Sequence, residues 1–215
     1  MRECIICGGG NSVREAIDGG LWNKIQGREI WSVNYAFMTM PYLPTRELWC
    51  DRDFFKKNID ALQNISKQGV QCHTREHNAY INIPEIKQYK CTRDPNNKSN
   101  ELFIGQLGLS GFFALHLAVK EEYERIFLLG YDFGEIGQYT HYYEGVLKTE
   151  SEGVGNHTVY KQEGNTRSNV KDFEMFTNPS LKSKIYNVSM ISFIPFFEKI
   201  TYEQMYRLLE TDIQN

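Results

Sequence analysis

The sequence has no stretch of about 18 consecutive apolar residues, so no part of it reads as a membrane-spanning helix. It also lacks any long run of Lys or Arg and carries a net charge of −3. That removes the electrostatic footprint of a protein that grips nucleic acid through its phosphates, and no stable nucleic-acid complex is expected. Cysteine is sparse, five residues in 215, an odd number with no framework spacing. This argues against a disulfide-stapled fold and for a reducing, cytoplasmic compartment. The opening Met1-Arg2-Glu3-Cys4-Ile5-Ile6-Cys7 contains an acidic residue and only a short apolar run, a first strand and not a signal peptide. Repeats and low-complexity tracts are absent.

What remains is an ordinary globular composition, 41% hydrophobic and 24% charged, long enough for one α/β domain spanning 1–215. Aromatic residues are plentiful, with 13 Tyr and 13 Phe. They suit a core rich in large rings, a site that stacks a polar ring ligand, and a homo-oligomeric contact.

The periodicity predicts a strand at Ile5–Cys7, a glycine turn at Gly8-Gly9-Gly10-Asn11-Ser12 and a helix over Val13–Leu21. Strands follow at Glu29–Asn34 and Glu47–Cys50, a helix at Phe54–Ser66, and a fourth strand at Gly69–Cys72. Residues 74–100 turn polar, with Pro84 and Pro95, and read as an insertion holding one short strand at Tyr80–Ile83. Phe112, Leu115, Ala118 and Val119 share a helical stripe before the buried-type strand Arg125–Gly130. Residues 135–169 are polar and glycine-rich and read as a lid or active-site loop. A helix at Val170–Phe176, a last strand at Lys184–Val188 and a terminal helix at Tyr202–Leu209 complete the chain. Strand, glycine turn, helix, strand is the opening of a doubly wound, mostly parallel, Rossmann-like α/β sheet.

Such sheets bind ligands outside the carboxyl ends of their strands. Gly8 to Ser12 there let backbone N–H groups approach a phosphate at a helix start. The spacing is neither the dinucleotide fingerprint nor a P-loop. Asn34, Asp51 and Tyr131-Asp132 end further strands and converge on the same edge. Asp51-Arg52-Asp53 has the Asp-x-Asp form that holds Mg2+ or Mn2+ in many nucleotide-sugar transferases, although Asp53 also suits a helix cap. His141 and His157 lie in the polar loop, where a histidine can exchange a proton near neutral pH. His116 falls inside a helix and reads as structural, His73 and His77 match no zinc spacing, and Cys4 and Cys7 lie on a strand and read as core.

The segment Ile5 to Asp18 resembles the opening of bacterial lipooligosaccharide sialyltransferases, whose glycine turn contacts a cytidine nucleotide. Ser32-Val33-Asn34, and Ser110-Gly111-Phe112 through Leu129-Gly130-Tyr131-Asp132-Phe133, are similar to further motifs of that family. The same pattern resembles archaeal 6-hydroxymethylpterin pyrophosphokinase-like proteins and short phage-encoded glycosyltransferase-like proteins. The resemblance implies a nucleotide-sugar donor held by Gly8, Gly9, Gly10, Asn11, Ser12, Asn34, Asp51, Ser110, Gly111 and Tyr131, with His141 or His157 as base toward an acceptor hydroxyl and Asp132 beside it. Tyr131, Tyr139 or Tyr142 would hydrogen-bond the departing phosphate, and a phage source would place the protein in the host cytoplasm. Asp51 stands where the sialyltransferases have Asn, and their Pro is replaced by Asn11. The alternatives are a Mg2+/ATP-dependent diphosphotransferase using Asp51, Asp53 or Asp132, and a non-catalytic viral nucleotide-binding protein.

Overall fold

The computed structural model describes residues 1–76, 85–94, 96, 101–105, 108–133, 141–143 and 170–210. Strand β1 (Glu3–Cys7) leads into two short helices, α1 (Ser12–Asp18) and α2 (Leu21–Ile25), where the periodicity predicts one. The break falls at Gly19-Gly20, with Gly20 at φ 81°, a left-handed conformation that glycine adopts without the penalty a side chain incurs. Then come β2 (Ile30–Val33), a 3-10 helix (Asn34–Thr39), β3 (Arg46–Trp49), α3 (Arg52–Lys67) and β4 (Gln71–Arg75). The 74–100 segment contributes more than a connection. It contains β5 (Ile86–Tyr89), which joins the main sheet, and β6 (Cys91–Thr92), which pairs with β7 (Leu102–Phe103). Tyr80–Ile83 and His77 lie outside the described residues.

Helix α4 (Ser110–Lys120) precedes β8 (Arg125–Leu129); a second 3-10 helix (Asp172–Thr177), β9 (Lys184–Asn187), β10 (Glu198–Lys199) and α5 (Tyr202–Glu210) follow. The eight-stranded sheet runs β10-β9-β8-β1-β2-β3-β4-β5, and every pairing in it is parallel. This is a Rossmann-like α/β fold.

Strand residues alternate between two cores, as the two-residue period of a strand requires. Ile5, Cys7, Phe127 and Leu129 face α1, α2, α3 and α5, whereas Cys4, Ile6, Ile126 and Leu128 face α4 and the second 3-10 helix. Central strands buried on both faces must be apolar throughout, which is why Ile126-Phe127-Leu128-Leu129 reads as a continuous run. Helix α4 is apolar around most of its circumference because it is packed between the sheet and Phe173 and Phe176. His116 on this helix shares a 2.8 Å hydrogen bond with the Phe103 carbonyl and is structural, as expected. No helix among the described residues is long and apolar enough to cross a membrane.

The order of strands positions the site. From β1 the chain winds outward through β2, β3, β4 and β5, then returns to β8 on the other side of β1. The connections leaving β1 and β8 therefore part, and the gap at their carboxyl ends is the topological switch point of the sheet.

Candidate functional site

The glycine turn lies at that switch point, and each glycine accommodates a different group of the chain itself. A Cβ on Gly8 would lie 3.2 Å from Tyr131 Cε2. On Gly9 it would lie 2.4 Å from His141 Cδ2 and 3.0 Å from the Tyr143 hydroxyl. On Gly10 it would lie 2.5 Å from Asp132 Oδ2 and 2.6 Å from the Gly130 carbonyl. The turn is tied to the end of β8 by Gly8 N–H donating to Leu129 O at 2.7 Å and Gly10 N–H donating to Gly130 O at 2.9 Å. Gly130 is itself left-handed, at φ 67°. Close approach is thus required between two strand ends, whatever else the turn contacts.

The amino end of α1, where the sequence places a phosphate, already holds an anion. Asp132 Oδ2 accepts from the Ser12 N–H at 2.8 Å and Oδ1 from the Ser12 hydroxyl at 2.6 Å, and Asp132 is 1% exposed. A carboxylate at a helix amino terminus gains from the orphan N–H groups and the helix dipole. Asn11, the residue with good cap chemistry by type, makes no side-chain cap hydrogen bond. The cap comes instead from a residue 120 positions away.

Tyr131 is a strut beneath the site. Its ring runs from Gly8 to Gly111, where a Cβ would lie 3.3 Å from it, and its hydroxyl donates to Gly111 O at 2.8 Å. Ser110 Oγ, at the start of α4, accepts from the Cys50 N–H at 2.9 Å, joining α4 to the end of β3. Asn34 follows β2 with φ 56°, and its buried Oδ1 has no hydrogen-bond partner. Asp51 caps α3: its Oδ1 accepts from the Asp53 N–H at 2.7 Å and the Phe54 N–H at 3.3 Å. Asp53 is exposed and pairs with Arg52 at 3.6 Å. Among the described residues no group of three or more His, Cys, Asp or Glu could hold a metal ion.

The segment 141–143 covers the turn. Tyr142 N–H donates to Gly9 O at 2.9 Å, and Arg14 Nη2 donates to Tyr142 O at 2.7 Å. The Tyr142 ring descends into the core, its hydroxyl 2.8 Å from Thr39 Oγ1, and burial holds its pKa well above the usual phenol range. His141 stacks on Tyr143 with centroids 5.0 Å apart and planes at 14°, and Tyr143 rests against Tyr35. His141 thus sits on the turn, and Tyr143 connects it to Tyr35, just after β2. Tyr139 and His157 lie outside the described residues.

Sequence reasoning passed over Arg14, Thr39, Tyr143 and Glu47. The first three carry no local signal, because Arg14 and Thr39 reach Tyr142, and Tyr143 reaches Gly9 and Tyr35, across most of the chain. Glu47 does carry one: it is the sole carboxylate in β3, directly before the apolar Leu48 and Trp49. Away from the site, His73 shares a 2.9 Å hydrogen bond with the Tyr89 hydroxyl. Burial, helped by Arg46, lowers its pKa to about 4. Cys4 and Cys7 are buried free thiols; burial pushes Cys7 to about 12 and raises Cys4 well above its ordinary value, as befits core residues.

Comparison of the chain with protein-family models, with curated proteins and with solved structures gives no match.

Chemically, the switch point offers a histidine on a glycine turn, an amide side chain with an unused acceptor at Asn34, and the start of α4 at Ser110-Gly111. Groups of these types can orient a polar ligand and exchange a proton. Tyr131, Tyr142 and Asp132 support the switch point from below, with their polar atoms engaged by the protein.

Proposed function

We propose that this protein is a glycosyltransferase-like enzyme that moves a sugar from a nucleotide-sugar donor to an acceptor hydroxyl. The observation that carries the reading is the placement of His141 against Gly9 at the switch point, with Asn34, its enclosed Oδ1 unpartnered, following the adjacent strand β2. In the transfer, the acceptor O–H gives its proton to the base as its oxygen bonds to the anomeric carbon. The bond from that carbon to the phosphate oxygen breaks, and the electron pair leaves on the nucleotide. Fixed N–H and O–H donors lower the barrier by meeting the charge that develops on the leaving oxygen. In this reading the amino end of α4 and the Asn34 amide do that work. Ser12 contributes less, because its N–H and hydroxyl are held by Asp132.

The diphosphotransferase reading draws less from the geometry. Both carboxyl oxygens of Asp132 are taken by Ser12, and Oδ1 of Asp51 by its cap.

Titration calorimetry with cytidine, uridine and adenine nucleotides and their sugar derivatives, with and without Mg2+, tests the proposal. Binding of a pyrimidine nucleotide or its sugar derivative without metal is expected. ATP binding that requires Mg2+, with none from the pyrimidine series, would sink it. Turnover unchanged in both His141→Ala and His157→Ala would remove the general base.

A further inference from the structure

Tyr143 takes no part in the proposed transfer, yet its ring lies on the histidine that does. It is 4% exposed and stacks on His141 with centroids 5.0 Å apart and planes 14° from parallel. Both rings reach the space that Gly9 leaves by lacking a Cβ. A Cβ there would lie 2.4 Å from His141 Cδ2, 3.0 Å from the Tyr143 hydroxyl and 3.1 Å from Tyr143 Cε1. Tyr143 in turn is set among buried rings: Tyr35 lies 5.7 Å from it at 50°, and Tyr142 5.3 Å at 66°. Tyr35 meets Phe54, in the first turn of α3, edge to face at 4.9 Å. A line of rings thus runs from α3 through Tyr35 and Tyr143 to the imidazole.

Backbone and ring do separate jobs here. The Tyr142 N–H donates to Gly9 O at 2.9 Å and Arg14 Nη2 to Tyr142 O at 2.7 Å, so the chain is pinned immediately after His141. That fixes where the histidine side chain starts but not how it turns. His141 is half-buried, and such a side chain keeps its rotamer freedom unless a neighbour removes it. A flat, buried ring parallel to the imidazole restricts both of its torsions, because only rotamers that keep the planes together retain the stacking contact. An aliphatic residue of similar size would fill the same space and impose no plane.

We propose that Tyr143 is a positioning residue: its ring, held by Tyr35 and Tyr142, fixes the plane of the His141 imidazole against Gly9. This rests on the functional reading above for what His141 then does, whereas the arrangement of the rings exists without ligand.

Nuclear magnetic resonance of the protein without ligand tests it, through the Overhauser contact between His141 Hδ2 and the Gly9 Hα protons and through the order parameter of the His141 side chain. In the wild type the contact should be strong and the order parameter near that of rigid backbone, about 0.85. Tyr143→Leu should lose the contact and bring the order parameter below about 0.6, whereas Tyr143→Phe, which keeps the ring, should hold both near wild type. With the cytidine and uridine sugar derivatives used for calorimetry, Tyr143→Leu should lower kcat about a hundredfold and leave the KM for the donor within about twofold. A wild-type order parameter below about 0.6 overturns the proposal without any variant. So does a folded Tyr143→Leu protein that keeps the His141–Gly9 contact, or a Tyr143→Phe protein that loses it. Should Tyr143→Leu fail to fold, the wild-type order parameter and the Tyr143→Phe contact decide. If no nucleotide sugar turns over, or turnover survives loss of the contact, the functional reading fails and the positioning role stands.

Discussion

Removing the Asp132 carboxylate separates two uses of the α1 amino terminus, internal clamp and ligand site. Asp132 is buried and bonded twice to Ser12, at 2.8 Å and 2.6 Å. A hydrogen bond to a charged group contributes about 1.5–3 kcal/mol, and an anion at a partly buried helix start adds up to about 2 kcal/mol. Relief of the carboxylate's burial offsets part of this, so a net loss of about 3 kcal/mol is expected for Asp132→Ala and about half that for Asp132→Asn. In a chain of this length each kcal/mol moves the melting temperature by about 2–4 °C, so Asp132→Ala should melt about 6–12 °C lower. Ser12→Ala deletes only the hydroxyl bond. In a double-mutant cycle it should couple to Asp132→Ala by about 1–2 kcal/mol, because the two remove one shared interaction. Urea unfolding of the four proteins measures this directly. A coupling below about 0.5 kcal/mol, or an Asp132→Ala protein that melts with the wild type, would refute the clamp and return the carboxylate to the ligand.

Gly10→Ala sets a Cβ against backbone, 2.6 Å from Gly130 O, and should cost about 3 kcal/mol or more in urea unfolding. Gly9→Ala meets the His141 ring instead, a side chain that can turn away. It should cost less than about 1 kcal/mol yet abolish turnover, and equal stability losses for the two would contradict this geometry. His73, lowered from 6.5 to about 4, binds a proton in the unfolded chain before it does in the folded one. Stability should therefore fall as pH drops from 6.5 towards about 4, by about 3 kcal/mol, and His73→Gln should flatten that slope. Glu47 has the opposite sign for a carboxylate: its pKa, raised by burial, makes stability decline as pH rises above 4.5, so Glu47→Gln should gain most over wild type at alkaline pH.

Much of the fold is legible in the chain because it depends on local rules. Ile126 to Leu129 must be apolar on both sides to fill a central parallel strand, and Gly8 to Ser12 must bend sharply after β1. Asp53 by type suits a cap for the helix near Phe54; the cap is the preceding acidic residue, Asp51. The short edge strands carry weaker signals. Ile86–Tyr89 shows no clean alternation, with Lys87 exposed and Gln88 half-buried on opposite faces of a sheet margin, and two residues at Glu198–Lys199 carry no period at all. The single helix expected over Val13–Leu21 divides because two successive glycines give the chain a left-handed step.

The site shows the sharper division. By itself the sequence determined that a glycine turn follows the first strand and that polar residues end the neighbouring ones, since strand ends and turns announce themselves through glycine and side-chain type. It could not determine what those residues touch. Only the tertiary structure brought Asp132 onto Ser12, Tyr131 between Gly8 and Gly111, His141 onto Gly9, and Glu47 onto Ser32. These contacts join residues far apart in sequence, and their energies depend on burial and distance, quantities that exist only once the sheet has set its strands side by side.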